Sequence, residues 1–449
     1  MEHSLAAEIA SRVSERGGRA YYVGGFVRDA VLGIENKDID IEVHGIEPAD
    51  LFSLLSELGE PLSYGSSFGI YSVKGSGIDV ALPRTERATG RGHRDFEVFC
   101  DPYLGPEKAA RRRDFTMNAL MKDVLSGEIL DFFGGMEDIR RGVIRHVDDG
   151  SFAEDPLRVL RAAQFAARFG FKVAPETVSL CSRMDLTALS RERVEGEMRK
   201  ALEKAEKPSV FFEFLRETGQ LGFWFPELEA LIGVEQDPRF HPEGDVWVHS
   251  MEVLDRAASF RAQAKKPYFF MLAALTHDIG KAVTTARSEK DGRLHAYGHE
   301  AEGVPIAERF LSRLTSDREL TAYVLNMIPL HMKPNLAAYA KPPLKKTNHM
   351  FDESVCPEDL IALALADRPV FSGSVPFSGD REFLEERLAE YREIMSRPHV
   401  EGRDLIAAGL APGEYFGELL DFAHKLRLAG IDRESALKQT LAMARKMKV

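Results

Sequence analysis

The stretch that most restricts the fold is Ala20-Tyr21-Tyr22-Val23-Gly24-Gly25-Phe26-Val27-Arg28-Asp29, followed by Asp38-Ile39-Asp40-Ile41-Glu42. Ala20 to Val23 reads as a short buried strand. Two glycines end it, and Arg28 to Leu32 reads as the start of a helix. Without a Cβ, Gly24 and Gly25 let the backbone approach a ligand closely. The free N–H groups of a helix start favour phosphate, and Arg28 adds a fork of donors. A second strand is expected over 38–43. Residues two apart in a strand share a face, so Asp38 and Asp40 point the same way. Adjacent carboxylates repel unless a cation lies between them, and Mg²⁺ is ordinarily held by one or two carboxylates plus substrate phosphates. The pattern points to metal-dependent nucleotidyl transfer. Taken singly, Gly-Gly is most often a turn, and Asp-x-Asp on a strand is most often a solvated face.

At 449 residues the chain calls for two to four domains. Cys100, Cys181 and Cys356 are far apart and form no metal or disulfide pattern, which suits a reducing cytoplasm. Met1-Glu2-His3-Ser4 has neither the basic region nor the apolar core of a signal peptide. No apolar run approaches the roughly 20 residues that span a bilayer, so no membrane partner is expected. The net charge of −12 argues mildly against nucleic acid. Basic residues nevertheless cluster at Lys108 with Arg111 to Arg113, at 191–207, at Lys341 with Lys345 and Lys346, and at the C-terminal end. A basic strip on an acidic protein can hold an RNA strand; each cluster alone also reads as a solvated helix face.

Leu5, Ile9 and Val13 repeat at helical spacing and predict a helix over 1–19. A helix at 49–58, a turn over Gly65 to Gly69, and strands at 70–73 and 78–82 follow, the last carrying Asp79. Residues 83–95, with two glycines and many charges, read as a loop near the site. Arg111-Arg112-Arg113-Asp114-Phe115-Thr116-Met117-Asn118-Ala119-Leu120 offers arginines suited to bidentate contacts with a triphosphate. A strand at 128–132 and the turn Gly134-Gly135 close this region near residue 145. Glu154-Asp155-Pro156 then opens a helix with Leu157, Leu160 and Phe165 toward the core. Asp155, Arg158 and Arg161 form a polar stripe along it. Aspartate beside arginine presents acceptor and donors in one plane, the complement of a base edge; a surface ion pair is the plainer reading. Arg191-Glu192-Arg193-Val194 is expected to brace that helix.

Together, Gly24-Gly25-x-Val27-Arg28-Asp29-x-x-Leu32-Gly33, Lys37-Asp38-x-Asp40, the Arg112-Arg113-Asp114-Phe115-Thr116 run and Glu154-Asp155-x-x-Arg158 resemble the bacterial tRNA nucleotidyltransferase and poly(A) polymerase family. The resemblance implies that Asp38 and Asp40 hold Mg²⁺, with Asp79 as a third, helper carboxylate or general base. It implies that Gly24, Gly25, Arg28, Arg113 and Arg161 hold the triphosphate. Asp155 and Arg158 would read CTP or ATP in place of a template. The chain departs from the pattern at Gln164, where many members carry an arginine.

A second constellation comprises His249, the doublet His277-Asp278 at the end of an apolar helix, His295, His299, His331 and Asp367. Both side chains of such a doublet must leave the core, and imidazole with carboxylate is a sound ligand set for a divalent transition metal. The order His, His-Asp, Asp resembles the HD phosphohydrolase superfamily. This implies a first site of His249, His277, Asp278 and Asp367, with His299 and His331 serving a second ion, and Mn²⁺, Ni²⁺ or Co²⁺ as the metal. His295 could be ligand or structural, and His241 reads as structural.

The expected fold is α+β: a nucleotidyltransferase head with a small mixed sheet flanked by helices (1–145), an all-α neck (146–230), an HD domain (231–370) and a helical tail (371–449) with a possible tRNA contact. In the tail, Glu401 to Gly413 reads as helix, tight turn, helix. The implied activity is addition of C, C and A to tRNA 3′ ends from CTP and ATP, with the HD domain hydrolysing phosphate esters, 2′,3′-cyclic ends among them. An enzyme adding only A or only CC, a poly(A) polymerase, and an inert RNA-binding protein on the same scaffold are the alternatives.

Overall fold

The apolar run at the head becomes β1 (Arg19–Val23), with four of its five residues buried. The computed structural model describes residues 2–63, 70–88, 96–368 and 378–447. It divides into two units, Met1–Trp224 and Phe225–Val449. In the first, β1 lies inside a seven-stranded mixed sheet. Its other strands are β2 (Ile39–His44), β3 (Pro61–Ser63), β4 (Ile70–Val73), β5 (Ile78–Ala81), β8 (Met121–Asp123) and β9 (Ile129–Leu130). The order is β3-β4-β5-β2-β1-β8-β9. β6 (Arg84–Ala88) and β7 (Phe96–Cys100) form a separate antiparallel ribbon.

β2 shows why the sheet takes this form. Ile39, Ile41 and Val43 are buried on one face, and strand alternation turns Asp40 and Glu42 to the other. β2 runs antiparallel to β1 and parallel to β5, in a register that sets Asp40 beside Asp79. The expected helix at the N-terminus spans Glu2–Glu15 and buries Ile9 and Val13, and the next spans Pro48–Leu58.

Several expectations need correction. Asp38 lies outside β2: its N–H donates to the Asn36 side chain at 2.9 Å, a local turn that competes with the ladder. Within 83–95, Arg84–Ala88 is strand rather than loop, because Phe96–Cys100 supplies a pairing partner that the charges concealed; residues 89–95 lie outside the described residues. So do the Gly65 to Gly69 turn and the serine- and glycine-rich joint near residue 373. The strand expected at 128–132 shrinks to Ile129–Leu130, since Asp131 instead caps the next helix through Gly135 and Met136 N–H.

Beyond the sheet the first unit is helical apart from a two-residue pairing of Val143–Ile144 with Lys172–Val173. A short helix, Asp149–Ala153, precedes the helix Leu157–Phe169, so the Glu154-Asp155-Pro156 run is a linker. Leu160 and Phe165 are buried, whereas Leu157 is half-buried. That helix packs against Arg191–Lys204 and Ser209–Glu217.

The second unit is almost wholly helical. Pro267–Thr276 is apolar on nearly every side and accordingly central, packed by Val246–Ala258, Arg318–Met327 and Pro357–Asp367. The His-Asp doublet follows its last residue. A Cβ at Gly280 would sit 2.0 Å from the His299 carbonyl oxygen and 2.6 Å from Gly303 N. Gly280→Ala is therefore expected to force the doublet away from the helix His299–Leu314. The expected cost is about 1–3 kcal/mol, read as a lower Tm. A melt identical to wild type would refute this close packing. In the tail, Gly402–Ala407 is closed by a reciprocal Glu401–Asp404 capping box, and Gly409, at φ 96°, ends it before the helix Tyr415–Leu428. Val400, Leu405, Leu419, Ala423, Ala436 and Ala444 form its own apolar cluster.

Candidate active sites

At the end of β1, Gly24 adopts φ 64° and ψ −133°, which glycine reaches without strain. A Cβ there would lie 3.3 Å from Arg113 Nη1 and 3.8 Å from Asp40 Oδ2. The strand end, one guanidinium and one carboxylate thus meet at a point. They open into a cleft of about 530 Å³ whose lining includes Gly25, Arg28, Asp155, Arg158, Arg161 and Gln164. Asp38 and Asp79 are not in its wall. They act on Asp40 by charge: the protein packed about its carboxyl, although the residue stays solvent-accessible, and then Asp79 and Asp38 raise its pKa, while Arg113 opposes them. Carboxylates that destabilise one another's charge fit a divalent cation, and an all-oxygen donor set suits Mg²⁺.

The arginines are held differently from one another. Arg28 is buried: its Nε and Nη2 donate to Asp29 at 2.7 and 2.6 Å, and its Nη1 to Asn118 at 2.7 Å. Its carbon centre lies 5.1 and 5.0 Å from the Phe165 and Phe169 rings. It lines the cleft, but its fork, expected to face phosphate, is engaged by protein. Arg113 donates to Glu42 at 3.1 Å and keeps a buried Nε with no partner. Arg158 donates to the carbonyls of Ser151 and Arg112 at 2.6 and 2.8 Å. Asp155 accepts the Leu157 N–H at 3.0 Å and is gripped by Arg193 at 2.8 and 3.0 Å, so Arg193 does reach the helix it was expected to brace. Gln164 is buried, and its Nε2 has no partner.

Asp114 ties the motif to this helix. It accepts from Phe115 N–H, Asn118 Nδ2 and Arg161 Nε at 2.8, 2.9 and 2.7 Å. Burial opposes its charge, but Arg161 and Asn118 outweigh that and hold its pKa below the ordinary value. Such a group stabilises the fold above the unfolded carboxylate pKa, and the contribution is lost as pH falls through the lower folded value. Asp114→Asn is expected to lower the Tm at neutral pH and to flatten its fall on acidification, measured as melts across pH. Parallel melting profiles for the two proteins would count against it.

The second site gathers residues far apart in sequence. His249, His277, Asp278 and Asp367 each offer a ligand atom within 4.8 Å of the others, and Asp278, His299 and His331 form another such group. Asp278 belongs to both. The His249 Nε2 to Asp367 Oδ1 distance is 3.0 Å, and His299 Nε2 lies 3.2 Å from Asp278 Oδ1. His277, His299 and His331 each turn Nδ1 to a backbone carbonyl, of Ala274, Ala296 and Ile328, at 2.8, 2.8 and 2.6 Å. His249 Nδ1 meets Glu243 at 2.7 Å. All four Nε2 atoms are thereby left pointing inward, the usual arrangement of metal-binding histidines. His277 Nε2 and both Asp278 oxygens are buried without a hydrogen-bond partner. The residues fit a metal. Burial opposes the Asp278 charge, but Lys281, at 2.7 Å, and His277 hold it well below the ordinary carboxylate value. A cleft of about 610 Å³ opens over Asp278, His299 and Asp367. His295 is in its wall, paired with Asp291 at 3.2 Å, and belongs to neither group.

Sequence reasoning missed Arg168, Lys200 and Lys204 in the first cleft and Glu243, Gln236 and Lys281 in the second. Lys281 was visible in the His277-Asp278-Ile279-Gly280-Lys281 run. Glu243 precedes His249 in an irregular segment, where no period signals a shared face.

Comparisons with known proteins agree with this division. A family model described as the poly A polymerase head domain matches residues 20–145. One described as the probable RNA and SrmB-binding site of polymerase A matches 170–232, and an HD domain matches 246–368. A protein of Nitrosococcus oceani named multifunctional CCA protein is 40% identical over 326 residues, 72% of this chain and 76% of the relative. One of the same name from Xanthomonas campestris pv. campestris is 36% identical over 437 residues, 94% and 100%. Among solved structures, a Bacillus stearothermophilus CCA-adding enzyme in complex with CTP has a TM-score of 0.69 at 24% identity, covering 99% of this chain and 98% of that one. A Thermotoga maritima CCA-adding enzyme complexed with tRNA has 0.64 at 23%, covering 98% and 95%. These two share the fold.

Proposed function

The chain belongs to the family of multifunctional CCA proteins, tRNA nucleotidyltransferases with a poly(A)-polymerase-type head and an HD domain, and from that membership we propose that it adds C, C and A to tRNA 3′ ends, taking CTP and ATP without a template. One observation carries the reading to the residues: a single cleft joins Gly24, Asp40 and Arg113 of the head to Asp155, Arg158 and Arg161 of the following helix. Full CCA addition is favoured over A-only or CC-only addition, poly(A) synthesis and an inert scaffold by the relatives' common name and by the intact carboxylates.

Asp38 and Asp40 would hold Mg²⁺. When bound there, such ions neutralise phosphate charge and acidify the attacking 3′-hydroxyl. The tRNA 3′-oxygen attacks the α-phosphorus and pyrophosphate leaves; Asp79, beside Asp40, is the carboxylate proposed to take the hydroxyl proton. Gly24 and Gly25 keep the wall open for the triphosphate. Arg113, with its spare Nε, and Arg161 contact it. Arg28 keeps this wall rigid through Asn118 and offers only the edge left over. Lys200 and Lys204 supply charge where Gln164 replaces an arginine, and the Gln164 amide offers a neutral donor. Asp155, fixed by Arg193, and Arg158 present acceptor and donor to the base.

In the second unit, His249, His277, Asp278 and Asp367 would hold one divalent ion, and His299 and His331, with Asp278, another. The imidazole-rich set favours Mn²⁺, Ni²⁺ or Co²⁺ over Mg²⁺. The proposed chemistry is phosphoester hydrolysis. Among the described residues no helix is long and apolar enough to cross a membrane; a cytoplasmic location, where tRNA is matured, fits the free cysteines.

The deciding experiment gives purified protein tRNA lacking its final nucleotides, with labelled CTP or ATP separately and then together. Full CCA addition requires both; extension by ATP alone into long tails would identify a poly(A) polymerase. For base choice, Arg158→Ala is expected to cut discrimination against GTP and UTP by about tenfold or more, while slowing CTP transfer less. A hydrogen-bonding site rejects wrong partners through its paired donors. Unchanged preference would make Arg158 a structural clamp on the Ser151 and Arg112 carbonyls.

A further inference from the structure

The HD cleft has walls that its metal-binding floor does not use. Tyr297 is 80% exposed and Tyr339 89% exposed, yet both line the cleft that contains Asp278, His299 and Asp367. Phe240, 62% exposed, lines it too. The Tyr297 ring lies on the His295 imidazole with centroids 4.8 Å apart and planes 11° from parallel. Asp291 holds that imidazole at 3.2 Å, so one face of the tyrosine is backed and the ring is fixed as a flat platform. Scattered exposed aromatics need no explanation. Rings gathered around one polar floor do, because ligand clefts combine aromatic walls with a few convergent polar groups. At about 610 Å³ the cleft has room for a nucleoside monophosphate.

We propose that Tyr297 and Tyr339 are specificity-determining residues of the HD cleft: they stack on an unpaired nucleobase whose own ribose carries the phosphate ester presented to the His-Asp floor. The inference rests on reading that floor as a phosphoesterase site. Aromatic stacking accepts any base, so the cleft would select for the presence of a base and not its identity. A free nucleotide and a single-stranded RNA 3′ end share this chemistry.

The test uses the full chain with the head saturated by CTP, and the variants Tyr297→Ala, Tyr339→Ala, Tyr297→Phe and Tyr339→Phe. Calorimetric titration with adenosine 2′-monophosphate, in chelator and then in Mn²⁺, is expected to show about tenfold weaker binding for each alanine variant. The phenylalanine variants bind as wild type, and inorganic phosphate binds all of them equally. In hydrolysis, KM for adenosine 2′,3′-cyclic phosphate rises by the same factor at unchanged kcat, while glycerol 2-phosphate is unaffected. A short oligoribonucleotide ending in a 2′,3′-cyclic phosphate distinguishes the sources: a larger loss on it than on the mononucleotide assigns the platform to RNA ends, and an equal loss assigns it to free nucleotides. Unchanged nucleotide affinity in both alanine variants, or an equal loss for inorganic phosphate, overturns the proposal. If wild type hydrolyses neither ester but the binding results hold, the platform stands and the phosphoesterase reading falls.

Discussion

Asp40→Ala is expected to abolish nucleotide addition, lowering incorporation by about a thousandfold or more, beyond the ~10–100-fold typical of groups that merely support a metal ligand. Asp40 is the carboxylate that reaches the cleft, within 3.8 Å of the space above Gly24. Asp79 and Asp38 crowd it with like charge, which a bound cation relieves. Asp40→Asn removes the charge and keeps the shape, so a comparable loss there would separate metal binding from packing. Binding of tRNA is expected to survive in both, since a polyanion is held by basic surface and not by carboxylates. Labelled-CTP incorporation and a gel-shift titration measure the two quantities. Near-normal incorporation by either variant would remove Asp40 from its proposed role.

The second large effect is expected at Asp278. Asp278→Ala should eliminate phosphoester hydrolysis and bound transition metal, because this residue alone belongs to both ligand groups among the described residues. It is also buried against Lys281 and three imidazoles, so its loss leaves cationic neighbours without their counter-charge. CCA addition should remain largely intact, and Asp40→Ala should show the reverse pattern. Metal analysis, hydrolysis of a 2′,3′-cyclic nucleotide and nucleotide incorporation on both variants decide it. If wild type hydrolyses nothing with Mn²⁺, Ni²⁺ or Co²⁺, the HD region is a tRNA-binding body. If folded Asp278→Ala also stops nucleotide addition, the two chemistries are coupled.

The sequence by itself determined what depends on neighbours along the chain. Alternation in Ile39 to Val43 set one face of β2 inward, helical spacing placed Ile9 and Val13 in the core, and contiguous motifs named the residues of both sites. Local order could not say which partners those residues would find. Asp38 stands outside its expected strand because Asn36 competes for its N–H. Arg84–Ala88 is strand because Phe96–Cys100 pairs with it. Arg28 faces protein because Asp29 and Asn118, the latter on a distant segment, take its donors. Asp155 is fixed by Arg193, and Arg161 by Asp114. The register of β2 with β5 and the meeting of His249, Asp278, His299, His331 and Asp367 likewise arise from long-range packing. A side chain's residue type sets which interactions it can make; only the folded chain decides which of the competing donors and acceptors come within reach, because burial penalises every polar group that goes unmatched.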